Sequence, residues 1–147
     1  MPGSESLRVT ETPSLKRDGT QPDLLFVYGN LMRGLELHNY LGSAFFIAEA
    51  WTKGQLASLG RYPGLIEGEG KVIGEIYRLA DPAADLERLD DLEEFDPADP
   101  DGSVYLRVRA EAQTPEGVLD VWLYRYNEDT TQAPRVPSGD WRSFLQR

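Results

Sequence analysis

Cysteine is absent from the 147 residues, which excludes disulfides, a thiol nucleophile and thiolate metal ligation. Histidine occurs once, as His38, so a histidine-based metal site or a Ser-His-Asp triad is not expected. No apolar run approaches the roughly 18 residues of a membrane span, and no membrane partner is expected. The N-terminus has no apolar h-region of a signal peptide, which makes a cytoplasmic location the expectation. Positive charge is in deficit: 15 Lys and Arg against 25 Asp and Glu give a formal net charge of −10. Such a chain repels phosphate backbones and anionic lipid on average, so no nucleic-acid partner is expected. Catalysis, if present, must use carboxylates, hydroxyls and backbone groups.

What is present argues for one folded domain. Apolar residues make up 40% of the chain, with three tryptophans among them, and the length suits a single core. Residues 1–22 (MPGSESLRVTETPSLKRDGTQP) are polar, lack an apolar period and hold three prolines; they read as a mobile leader to a domain over 23–147. Strand signals fall at Leu24–Tyr28, Phe45–Ala50, Gly54–Leu59, Val72–Leu79, Val104–Ala112 and Val118–Tyr126, with a brief helix at Leu35–Leu41 and a loop at Gly60–Gly64. Asp81-Pro82 opens a helix that runs to about Glu94, where the segment DPADPDG stops it. Five or six strands and one solid helix, with connections too short for repeated crossovers, predict an α+β fold. A strongly curved mixed sheet or small barrel is its expected form.

The helix carries seven acidic residues between Asp81 and Phe95, and its period sorts them. At about 100° per residue, with Leu86 at zero, Leu89 falls at about 300° and Glu93 at about 340°. Glu94, at about 80°, faces away from the apolar stripe, and Asp90, at about 40°, is marginal. Glu93 therefore points toward the interior. Desolvation there raises a carboxyl pKa toward the range useful for proton transfer near neutrality. Glu75 is the rival, because it shares a strand face with Ile73, Tyr77 and Leu79; a carboxylate satisfied by backbone or arginine is its alternative reading. His38 reads as structural or exposed and is left out of the chemistry.

A second feature is the break in the first strand at Tyr28-Gly29-Asn30. The segment VYGNLMRG (Val27–Gly34), together with LDDLEEFDPADPDGSVYLR (Leu89–Arg107), resembles the paired motifs of the gamma-glutamyl cyclotransferase-like family. GRYPGL (Gly60–Leu65), VIGEIY (Val72–Tyr77) and PSGDWRSF (Pro137–Phe144) are similar to further family segments, so the resemblance covers about residues 24–144. It implies a small mixed six-stranded barrel with flanking short helices. It also implies cyclisation of a γ-glutamyl compound to 5-oxoproline with release of an amine, without metal or cofactor. Glu93 would then be the general acid/base, and Tyr28, Gly29, Asn30 and Leu31 a loop cradling the small-molecule substrate. Tyr105 would bond the substrate or orient Glu93, and Arg107 would pair with an acidic side chain. Asn30 stands where the family usually has Thr or Ser, and Glu94 where many members carry glycine. Two alternatives stay open: an amide-bond enzyme acting on another acylated metabolite, and a non-catalytic binding module of the same fold. Oligomeric state is not legible.

Overall fold

A computed structural model describes residues 21–146; the leader expected over 1–22 lies, up to residue 20, outside the described residues. Five strands form a closed barrel: β1 (Leu24–Val27), β2 (Phe45–Ser58), β3 (Pro63–Arg78), β4 (Tyr105–Thr114) and β5 (Gly117–Tyr126), in the order β1-β3-β2-β4-β5. Neighbours are antiparallel except where β5 closes the ring, parallel to β1 at Leu25–Trp122 and to β3 at Leu65–Arg125. The barrel is mixed for that reason. Among the described residues no helix is long and apolar enough to cross a membrane.

The expected six strands are five, because two of the sequence segments are one strand. Phe45–Ala50 and Gly54–Leu59 are halves of β2, which pairs with β3 from Phe45–Arg78 to Ser58–Pro63. Between them stand Trp51 and Thr52, residues that favour extended backbone. Gly54 marks a bend and not an end. The register shifts between Lys53 and Gln55, and Gly54 takes φ +154° where a Cβ would lie 3.0 Å from the Ile66 carbonyl oxygen. A glycine inside a strand signals this kind of bulge and close approach. The same pairing draws Pro63 and Gly64, expected in a loop, into β3.

The helix α1 (Pro82–Leu92) starts as its sequence dictates: the Asp81 carboxylate accepts from the Ala84 amide, and Pro82 occupies the first turn. Leu86, Leu89 and Asp90 form its buried face. The Glu93 amide still donates to the Leu89 carbonyl at 2.9 Å, so Glu93 keeps the helical phase as the C-terminal cap. Glu94 then turns to φ +58° and ends the helix. The segment expected as a helix at Leu35–Leu41 is regular only as a 3₁₀ turn at His38–Leu41. There the imidazole Nδ1 lies 2.8 Å from the Leu31 carbonyl oxygen, a structural role.

A short helix α2 (Trp141–Leu145) closes the molecule. Trp141 is fully buried in the common core with Leu25, Phe26, Ile76 and Leu89. Next to it, Arg142 donates to Glu75 at 3.0 Å and to the Arg33 carbonyl at 2.7 Å.

Glu75 is thereby settled as structural. It is 2% exposed, and its carboxylate accepts from the Arg33 amide at 2.9 Å, the Tyr77 hydroxyl at 3.0 Å and Arg142. Burial alone would raise its pKa, but the donors from Arg33, Arg142 and Tyr77 outweigh it and hold the carboxyl below its ordinary value. A depressed carboxyl contributes stability above its unfolded pKa and loses it as pH falls through the folded one. Glu75→Ala strands an amide and a phenol in the interior and is expected to cost roughly 3 kcal/mol at pH 7. Urea titration checks this: the wild-type advantage over the variant shrinks below about pH 4.5, and an equal advantage at pH 3 would contradict the assignment.

Candidate active site

The first strand ends where the barrel opens. Beyond Val27 the chain leaves β1 and runs through Tyr28–Leu31 across the barrel mouth, beside a cavity of about 270 Å³. Tyr28, Gly29, Asn30 and Leu31 line one part of it; Glu93, at the end of α1, and Tyr105, at the start of β4, line others. The structure thus brings all six sequence-predicted site residues to one cavity, although Tyr28 and Tyr105 stand far apart in sequence.

Gly29 is there because of Pro63. A Cβ at Gly29 would lie 3.0 Å from both Cγ and Cδ of the proline ring, so the loop and the start of β3 touch at van der Waals distance. Its φ is not in the left-handed region; close approach, and not unusual dihedrals, is what this position requires. Asn30 has its side chain fully committed. Its amide donates to the Arg61 carbonyl at 2.9 Å, and its Oδ1 accepts from the Trp141 indole at 3.0 Å. The backbone is another matter: among the described residues, the N–H groups of Gly29, Asn30 and Leu31 meet no acceptor. Three such amides beside a cavity are donors in waiting for carboxylate or carbonyl oxygens.

The phenols form walls. Tyr28 donates to the Tyr124 carbonyl at 2.6 Å and accepts from the Leu65 amide at 3.1 Å, and Tyr105 donates to the Pro63 carbonyl at 2.7 Å. Burial holds both, and Tyr124, far above the usual phenol range, with the nearby Glu93 charge adding to the effect in each case. They stay neutral at any ordinary pH.

Glu93 is the opposite of Glu75. Half-buried among these rings, its carboxylate receives no hydrogen bond among the described residues. Burial pushes its pKa up to about 7. It can therefore hold or release a proton near neutrality, as the helical phase anticipated.

One supporting cluster escaped the sequence reading. Asp90, marginal by helical phase, is buried and binds Arg107 through Nε at 2.8 Å and Nη2 at 3.1 Å, while its Oδ1 also accepts from the Tyr124 hydroxyl at 2.7 Å. The expected acidic partner of Arg107 is thus identified, and the pair fastens the last turn of α1 to β4 and β5. Its only sequence signal was an aspartate close to the apolar stripe. The Trp141–Asn30 contact spans 111 residues and had no such signal.

The profile of the family described as gamma-glutamyl cyclotransferase, AIG2-like, matches residues 25–143. A Vibrio cholerae protein whose name marks it provisionally as a gamma-glutamylcyclotransferase is 38% identical over 120 residues, covering 80% of this chain and 94% of its own. The gamma-L-glutamyl-butirosin B gamma-glutamyl cyclotransferase of Niallia circulans is 33% identical, covering 82% of this chain and 76% of its own. Among solved structures, YkqA of Bacillus subtilis superposes with a TM-score of 0.69 at 25% identity, over 86% of this chain; the match spans 42% of that longer protein.

The raised Glu93 pKa has a thermodynamic consequence independent of any substrate. A carboxyl whose folded pKa lies above its unfolded value destabilises the fold increasingly as pH rises from about 4.5 to about 7. Glu93→Gln removes that ionisation, so the variant is expected to gain on the wild type over this window, by up to about 3 kcal/mol at pH 8. Denaturant midpoints measured at pH 4 and pH 8 test it. A constant difference between the two proteins would mean that Glu93 titrates normally.

Proposed function

The chain belongs to the gamma-glutamyl cyclotransferase, AIG2-like family, and from that premise we propose that it converts a γ-glutamyl amide into 5-oxoproline and a free amine. In this reading residues 23–147 are the cyclotransferase domain. The observation that carries the proposal is Glu93, a carboxyl with a pKa of about 7 lining the same cavity as the unbonded amides of Gly29–Leu31.

The chemistry is an internal aminolysis. The substrate's α-nitrogen attacks its own γ-carbonyl carbon, forming the ring C–N bond. The exocyclic amide C–N bond breaks, and no water is consumed. Tethering gives the nucleophile a high effective concentration, so the protein has three tasks: folding the substrate, moving a proton and stabilising an oxyanion. Glu93 in its ionised form takes the proton from the α-nitrogen and returns it to the departing nitrogen. The amides of Gly29–Leu31 serve the substrate's oxygens, and a well-placed donor to a developing oxyanion contributes about 3 kcal/mol in comparable sites. Tyr28 and Tyr105, with their hydroxyls engaged in the barrel, give the cavity rigid apolar walls that exclude water and keep the Glu93 pKa high.

The alternative amide-bond chemistry uses external water and is separated by product. In water enriched with oxygen-18, the cyclotransferase yields unlabelled 5-oxoproline; label in a released acid, read by mass spectrometry, would overturn the reading.

Two kinetic outcomes are expected on a substrate so identified. Glu93→Gln loses about 100-fold or more in kcat, because the amide cannot accept the proton. In the wild type, kcat/KM falls as pH drops through about 7, where Glu93 becomes protonated. Turnover by Glu93→Gln at the wild-type rate would remove Glu93 from the mechanism.

A further inference from the structure

In the loop after β1 the amides of Gly29–Leu31 are unbonded, but the carbonyls are all taken. The Gly29 carbonyl accepts from the Met32 amide at 3.1 Å, Asn30 from the Leu37 amide at 2.9 Å, and Met32 from the Leu35 amide at 3.1 Å. The Arg33 carbonyl accepts from Arg142 at 2.7 Å. The remaining carbonyl, that of Leu31, is served by the imidazole of His38, whose Nδ1 lies 2.8 Å away. A carbonyl oxygen can only accept, so Nδ1 carries the proton. The ring is half-buried and packs on Tyr77 with centroids 5.6 Å apart, and the Tyr77 hydroxyl donates to the buried Glu75 carboxylate.

We infer that His38 is a positioning residue for the amide donors of the cavity, acting through the Leu31–Met32 peptide. The inference rests on the cyclotransferase reading; His38 itself does not line the cavity and touches no reacting atom. The coupling runs through planar peptide units. In a trans unit the C=O and the N–H point in opposite directions, so a hydrogen bond at one end fixes the aim of the other. His38 holds the Leu31 carbonyl, and the amide at the other end of that unit, Met32, donates to the Gly29 carbonyl. The Gly29 carbonyl shares its plane with the Asn30 N–H. The unit between them joins the Asn30 carbonyl, held by the Leu37 amide, to the Leu31 N–H. Leu37 and His38, neighbours in the chain, thus hold the neighbouring carbonyls of Asn30 and Leu31, one through backbone and one through its side chain. Without the imidazole, the Leu31–Met32 unit loses the donor that fixes its plane, and the Asn30 N–H loses the support behind it. Donors to a developing oxyanion are effective only when held in place beforehand.

The test combines NMR and kinetics on the full chain at pH 8. In the wild type a nitrogen-15-labelled imidazole is expected to keep its proton on Nδ1; a bare Nδ1 would overturn the inference without any substrate or variant. His38→Asn puts an amide nitrogen at the same number of bonds from Cβ and keeps the donor, whereas His38→Leu removes it and keeps an apolar face for Tyr77. On an amide identified as a substrate, kcat/KM for 5-oxoproline release is expected to stay within about threefold of wild type for His38→Asn. For His38→Leu it is expected to fall about tenfold, the worth of one oriented hydrogen bond. The backbone amide resonances of Asn30 and Leu31 should move in His38→Leu and return toward the wild-type positions in His38→Asn, and thermal midpoints separate such a displacement from unfolding. Wild-type turnover by His38→Leu, or equal losses in both variants, would overturn the inference. Absence of 5-oxoproline from the wild type would overturn the cyclotransferase reading, and with it the kinetic role of His38. The Nδ1 proton and the amide resonances separate that outcome from failure of the hydrogen bond itself.

Discussion

A single buried carboxylate holds the site together from behind. Glu75 lies in β3 with almost no exposure, and an ion in that position is tolerated only if enough donors replace its water. Those donors come from three separated parts of the chain: the Arg33 amide after the β1 loop, Tyr77 in β3 itself, and Arg142 in α2. Arg33 also approaches through its guanidinium, with Nε at 3.6 Å. Loop, barrel wall and C-terminal helix are thus fixed on one oxygen pair. The Trp141–Asn30 hydrogen bond repeats the constraint one residue before Arg142 and three residues before Arg33. A loop held at the Asn30 side chain and at Arg33 does not depend on the amides of Gly29, Asn30 and Leu31, which meet no acceptor among the described residues.

The contrast between Glu75 and Glu93 shows how environment assigns a role to one side-chain type. Both are withdrawn from water. Glu75 meets donors at both oxygens and is held ionised, whereas Glu93 meets phenyl faces and phenols whose protons are already given to carbonyls. Desolvation without compensation is what raises a carboxyl toward neutrality. The same arrangement costs stability at working pH, and Glu94 adds backbone strain in the next position, of order 1–3 kcal/mol for such conformers. Two unfavourable residues side by side must be offset nearby. The Asp90–Arg107–Tyr124 cluster, one turn back on α1, supplies bidentate, charge-assisted bonding at that point.

Local patterns made part of this legible. The 3.6-residue period located Glu93 because its amide still bonds to Leu89, so the phase argument applied to the residue itself. Glu94 is exposed, as its outward phase implied, although a positive φ takes its backbone out of the helix. Pairing of Arg107 with an acid was expected, but the choice of Asp90 depends on how α1 packs on the barrel. The strand count missed for a related reason. Gly54 carries the composition of a break, and only the partner strand, with Ile66 pressed against it, distinguishes a bulge from an end. Asn30 is the hardest case. As a sequence feature it departs from the Thr or Ser of the resembled motif, and nothing local tells that its two polar ends are taken by Arg61 and Trp141.

The reach of Asn30 is what joins the loop to its surroundings. A Ser or Thr hydroxyl at this position has a shorter reach than the Asn amide, which here spans from the Arg61 carbonyl to a buried indole in α2. The Asn30 side chain is thus a bridge between the loop after β1, the turn before β3 and α2. The backbone path of Gly29–Leu31 is then supported through Arg61 and Trp141, which do not line the cavity. The loop after β1 and Glu93 thus meet at one cavity because hydrogen bonds made outside it fix both the loop and the end of α1.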